Sequence, residues 1–211
     1  MKRSERRRLL KRLKRDTERA NERSLTVINW TPVQNRATYD SAKGDHRYEL
    51  TRQHEALVKI GGTVYRFVVA AGFRYDGATV PHLGSFLNKV IFGTDLDSDG
   101  PLRDPSVLHD AGYKCKGFFM RTNALAAVYV SETNERVELL VTRKQLDEIY
   151  RQMLNIQEAR QRRDHRNPEG RPMLKWREIQ RVYKSIRFGG FFLWRKNLDH
   201  WAALWYNNAT A

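Results

Sequence analysis

Cysteine is nearly missing: Cys115 is the single one in 211 residues. One thiol makes neither an intramolecular disulfide framework nor a cysteine-based zinc centre. No apolar run approaches the roughly 18–20 residues that a membrane-spanning helix needs. The basic N-terminus has no apolar stretch behind it, so it does not read as a secretory signal. The Walker loop, GxGxxG, HExxH and GxSxG are all missing, which removes the commonest nucleotide, zinc-protease and serine-hydrolase signatures. Acid is also in short supply, with 24 Asp+Glu against 39 Lys+Arg and a net charge of +15. The expected compartment is a reducing cytoplasm, or a particle assembled there.

What is present suffices for a core. Hydrophobic residues make up 40% and aromatics 11%, which excludes wholesale disorder. The length fits one domain plus extensions. The charge is unevenly placed: residues 1–24 hold eleven Lys/Arg and four Asp/Glu, nearly half of the excess. Only Leu9, Leu10 and Leu13 are large and apolar there. They share one helical face, a stripe too narrow for a stable isolated helix. The segment reads as a basic arm, solvated or folding on a partner. Arg6, Arg7, Arg8, Lys11, Arg12, Lys14 and Arg15 would meet nucleic acid or a protein, with Leu9 and Leu13 as a contact seam.

Residues 25–45 read as short strands and turns broken by Pro32 and Gly44. Segments 46–53 and 55–60 are strand-like. Gly61-Gly62 joins the second to 63–70, a strong hairpin signal because both glycines can take positive φ. A Gly-, Asp- and Pro-rich loop follows at 71–81, then an irregular stretch at 82–104. Asp104-Pro105 opens a helix carrying Ser106 to Cys115. Residues 117–141 read as a second hairpin, ALAAVYV against RVELLV, turning at Glu132–Glu135. Thr142 to Gln145 fits a capping box before a long helix with Leu146, Ile149, Met153 and Ile156 on one face, ending within 160–172. A further helix is expected from about Leu174 to Phe188, stopped by Gly189-Gly190, then an aromatic tail. The class is α+β: a small antiparallel sheet with hairpins, followed by packed helices. The organisation is a basic arm at 1–24, a single domain at 25–196 and a tail at 197–211.

Three elements can carry chemistry. One is the loop Tyr75 to Pro81, with Asp76-Gly77. The second is Leu108-His109-Asp110-Ala111-Gly112-Tyr113. The third is Asp147. His109 and Tyr113 are four apart and share a helical face, whereas Asp110 points about 100° away. A helical histidine needs a partner to fix its tautomer before it can serve as a base, and Asp147 is the best-placed carboxylate. Asp110 would turn to the 76–81 loop, to hold a cation or to cap its amides. The plain alternative is a surface or core His–Asp pair without chemistry. Asp95, Asp97, Asp99 and Gly100 form the first half of a calcium loop. Pro101 follows, and position twelve is Ser106 rather than glutamate, so a solvated acidic turn competes with a calcium site. Basic residues in 160–196 alternate with Trp176, Tyr183, Phe188 and Trp194. That pattern suits single-stranded nucleic acid or, more simply, a helix with one buried face.

In order, Ala71-Gly72-Phe73, Asp76 to Pro81, His109-Asp110 with Tyr113, Arg143 with Asp147, and Phe188-Gly189-Gly190 resemble a family of bacteriophage and prophage proteins of unknown function. Its pattern runs GFxxDGASxP, HDxLY, SRxxAD. The resemblance covers about residues 45–195. Ala111-Gly112 replaces a bulkier pair, Thr142 and Leu146 stand where the family often has Ser and Ala, and residues 117–141 look inserted. The layout is similar to secreted phospholipase A2. Carried over by position, this implies His109 as the base, Asp147 orienting it with Tyr113 beside them, and Asp110 with Asp76-Gly77 holding calcium.

The resemblance implies a virion-associated structural protein of tail, neck or ejection apparatus, present in several copies of a symmetric assembly and assembled in the bacterial cytoplasm. Its arm would dock on other virion proteins or DNA. The alternatives are a calcium-assisted His/Asp hydrolase of lipid or cell-envelope substrate, which such a particle can carry, and a plain nucleic-acid-binding protein.

Overall fold

The computed structural model describes residues 3–40, 45–75 and 103–164, together with Arg177, Ile179, Gln180 and Val182–Lys184. Helix α1 (Arg3–Asn21) leads into β1 (Leu25–Trp30), β2 (Asn35–Asp40), β3 (Asp45–Leu50), β4 (His54–Ile60), β5 (Thr63–Val69) and β6 (Arg74–Tyr75). Helix α2 (Arg103–Lys114) follows, then β7 (Phe118–Phe119), β8 (Ala126–Val130), β9 (Arg136–Val137), β10 (Leu139–Leu140) and helix α3 (Arg143–Asp164). The class is α+β, as the sequence implied.

The main sheet is antiparallel with order β1-β4-β5-β8-β9. Its centre is the expected hairpin. Ile60 pairs with Thr63 across a two-residue turn in which Gly61 (φ 59°) and Gly62 (φ 97°) are both left-handed. That conformation suits the twist of the flanking strands and penalises any residue with a Cβ. Strand β4 alternates as a half-buried strand should. His54, Ala56, Val58 and Ile60 turn inward, and Lys59 turns to solvent. A smaller sheet, β2-β3-β6, stacks Tyr48 near Tyr75 and Phe73 on Tyr75.

The edge of β1 is closed by a side chain. Gln152 of α3 accepts from Val27 N (2.8 Å) and donates to Leu25 O (3.2 Å), bonding the backbone as a neighbouring strand would. Residues 117–141 contain the expected turn, with Asn134 at φ 56°. The segment RVELLV is not one strand, however. It divides at Glu138. Arg136–Val137 stays with β8, while Leu139–Leu140 leaves to pair with Phe118–Phe119 just after α2. Leu139, Phe118 and Phe119 are buried there. Covering that apolar patch outweighs continuing along a sheet edge.

The capping box is present at α3. Thr142 Oγ1 accepts from Gln145 N (3.2 Å) and Gln145 Oε1 accepts from Thr142 N (3.0 Å). The inward face of α3 is the expected one, with Leu146, Ile149 and Met153 fully buried and Ile156 packed at the edge. Past α3, Ile179 and Val182 are buried within helical residues, and Arg151 lies 5.7 Å from the half-buried Tyr183 ring. This favours the buried-face reading for that stretch. Gly189-Gly190, Trp176, Phe188, Trp194 and the tail at 197–211 lie outside the described residues.

Among the described residues two histidines are buried, and each is treated differently. His54 begins β4, with Nδ1 3.4 Å from Thr31 Oγ1 and the Trp30 ring against its own. Burial, only partly offset by Thr31, pushes its pKa down to about 4. His109 lies on α2 facing α3, and there the carboxylates decide.

Candidate functional site

Helices α2 and α3 pack directly against each other around His109 and Asp147. They can approach closely because residue 112 is glycine. A Cβ on Gly112 would meet the fully buried Leu146 side chain at 2.7 Å from Cδ1 and nearer still to Cδ2. One turn beyond the α3 cap, Asp147 is then completely buried and aimed at α2.

Asp147 collects three donor groups. His109 Nε2 is 3.3 Å from Oδ1, Tyr113 OH donates to the same oxygen at 2.7 Å, and Arg143 Nη1 reaches Oδ2 at 3.4 Å. Burial alone would raise the carboxyl pKa, but His109, Tyr113 and Arg143 together hold it below the usual carboxylate range. Asp147 is thus ionised at neutral pH and can only accept. Facing it, Nε2 of His109 donates to Asp147 Oδ1 whenever it carries the ring hydrogen.

Nδ1 faces the other carboxylate, with Asp110 Oδ1 at 3.5 Å. Burial pulls the imidazole pKa down. Asp110 and Asp147, one on each ring nitrogen, outweigh it and bring the net shift above the ordinary histidine value. The ring is only 9% exposed. It lies between Tyr113 (centroids 4.3 Å) and Tyr150 (5.1 Å). Burial and the neighbouring Asp147 charge drive the Tyr113 phenol pKa well up, so its proton stays in place as a donor. The two carboxylates thus hold the ring from both nitrogens and stabilise its protonated form.

The sequence singled out His109, Asp147 and Tyr113, and the fold brings all three together. Arg143 joins them through the Arg143–Asp147 spacing that the sequence had offered only as part of the resemblance. Tyr150 was not anticipated; its signal is its place three residues after Asp147, on the same helical face. Asp110 does not point away from the imidazole but sits on its second nitrogen.

Asp76 and Gly77 lie outside the described residues, as do Asp95, Asp97 and Asp99. Ser106, the twelfth position of the calcium-loop string, is buried in α2. Among the described residues no group of three His, Cys, Asp or Glu side chains is placed to hold a metal. Calcium takes six to eight oxygens, and Asp110 offers a donor of the right type but only one residue of the set.

In the arm, Arg8, Lys11, Arg12, Lys14 and Arg15 are exposed on α1. The side chains of Arg6, Arg7, Leu9 and Leu13 lie outside the description. The C-terminal end of α1 is fastened to the body. Ala20 is buried, and its carbonyl accepts from Gln145 Nε2 at 2.8 Å.

No protein-family model, no curated protein and no solved structure matches the chain. The site therefore stands on its own geometry.

Proposed function

We propose that the chain is a His/Asp hydrolase acting on an ester of a lipid or cell-envelope substrate and carried in a phage particle. The observation that carries this reading is the buried Asp147 carboxylate holding His109 Nε2 and Tyr113 OH on one oxygen. In the reaction, His109 Nδ1 takes a proton from water as the water oxygen bonds to the acyl carbon. Asp147 stabilises the imidazolium. The proton then passes to the leaving alkoxide as its carbon–oxygen bond breaks, and His109 is neutral again. Asp110 and the Asp76-Gly77 loop are the residues that would hold calcium, which when bound polarises the scissile carbonyl.

Anionic phospholipid vesicles, assayed for fatty-acid release with and without calcium, test the reading. His109→Ala and Asp147→Asn should each cost at least about 100-fold in rate while the circular dichroism spectrum stays native. Because the carboxylates raise the His109 pKa, the rate should climb with pH through a value above 6.5. Full activity in folded His109→Ala, or no hydrolysis by the parent chain, sinks the proposal.

A second reading has its own observation. The basic helix α1 is tied to the body through Ala20 and Gln145 while its cations face outward. That suits a virion-associated structural protein attached through residues 1–24. Its test is whether a chain lacking residues 1–24 still enters particles.

A further inference from the structure

The exposure pattern of α1 separates two faces. Ala20 is buried and Asp16 and Thr17 are half-buried, whereas Arg8, Lys11, Arg12, Arg15 and Arg19 are exposed. At 100° per residue these five cations fall within about 100° of one another, and Ala20 lies about 130° from the centre of that stripe. The stripe is therefore turned away from the body. It spans eleven helical steps, about 16 Å at 1.5 Å per residue. Exposed Glu18 borders the stripe, about 20° beyond Lys11 on the helical wheel, and lies 3.9 Å from Lys14.

We infer that α1 binds the phosphate backbone of duplex nucleic acid through Arg8, Lys11, Arg12, Arg15 and Arg19, without reading sequence. A duplex carries one negative charge per ~1.7 Å of axis, so a 16 Å row of cations meets phosphates along its whole length. An anionic membrane fits less well. A helix lying in a lipid interface buries its apolar face in the bilayer, and here the face of Ala20 is turned to the protein. A single-strand platform needs aromatic rings for stacking, and α1 has none. The inference is independent of hydrolysis. From the attachment reading it takes up only the partner, and particle incorporation is measured separately.

The test is fluorescence anisotropy of the full chain with a labelled random-sequence DNA duplex, repeated from 50 to 300 mM salt. The parent should show a log–log salt slope of about −4 to −5, from about 0.9 per neutralised phosphate. Lys11→Gln/Arg15→Gln should flatten the slope by about two, and Lys11→Glu/Arg15→Glu should weaken binding at least tenfold. Both keep α1 if helical content is unchanged. The control Arg52→Glu/Lys59→Glu carries the same charge change on exposed strand and turn positions and should leave affinity within about twofold. Equal losses in the α1 and control variants would overturn the inference, because net charge alone would then explain binding. So would parent binding to anionic vesicles but not to duplex DNA, or α1 variants that bind DNA like the parent.

Discussion

Gly112 of α2 and Leu146 of α3 touch so closely that no side chain fits between them. Helix interfaces pack at crystal-like density, and this contact sets how near His109 comes to Asp147. Gly112→Ala should therefore destabilise the fold by about 1–3 kcal/mol through overpacking. A urea titration measures this. In a double-mutant cycle with Leu146→Ala the double variant should cost less than the two single variants together, because the shortened side chain leaves room for the new methyl.

Asp147 is the hub of the site, so its loss should cost more than that of any one donor. Asp147→Ala strands Arg143, Tyr113 and His109 around a buried gap, at about 3–5 kcal/mol. Tyr113→Phe removes one bond to a charged acceptor, at about 1.5–3 kcal/mol. Denaturation midpoints of the two variants should keep that order. If Tyr113→Phe equals Asp147→Ala, the phenol and not the carboxylate holds the helices together.

Stability should fall on both sides of neutrality, for opposite reasons. His54 has a folded pKa of about 4 against 6.5 unfolded. The unfolded chain therefore binds a proton that the folded chain refuses, and stability falls as pH drops from 6.5 toward 4, by about 3 kcal/mol in all. His109 is raised, so its contribution is complete below 6.5 and is lost as pH rises through its folded value. Urea midpoints between pH 4 and 9 should show both limbs, and His54→Gln should remove the acid-side loss that His54 causes.

Gln145 has two jobs that can be separated. Gln145→Glu keeps an acceptor for Thr142 N but has no amide hydrogen for Ala20 O. Amide exchange should then quicken in α1 and stay slow at the start of α3. Gln145→Ala loses both and should also cost about 1 kcal/mol through the broken cap. An α1 exchange rate unchanged in Gln145→Glu means that the helix is held elsewhere.

Much of the local structure was legible because its causes are local. The Gly61-Gly62 turn follows from the φ freedom of glycine. The start of α3 follows from reciprocal Thr142–Gln145 bonds across three residues. His109 and Tyr113 share a face because helical geometry puts them there. The break in RVELLV was not legible. Arg136–Val137 and Leu139–Leu140 are equally strand-like, and only distant Phe118 and Phe119 pull the second pair away.

The sequence alone thus determined the α+β class, the strand and helix faces and the residues able to do acid–base chemistry. All of these depend on neighbours a few positions apart. The tertiary structure decided that Asp147, 38 residues from His109, meets Nε2, that Asp110 takes Nδ1, and that Gln152 closes the sheet edge. The first of these depends on how close the two helices can pack, which is set by Gly112 against Leu146. The lone Cys115 was settled at both levels. Composition barred it from a disulfide within the chain, and burial in the fold pushes its thiol pKa up to about 12, so it stays protonated and inert.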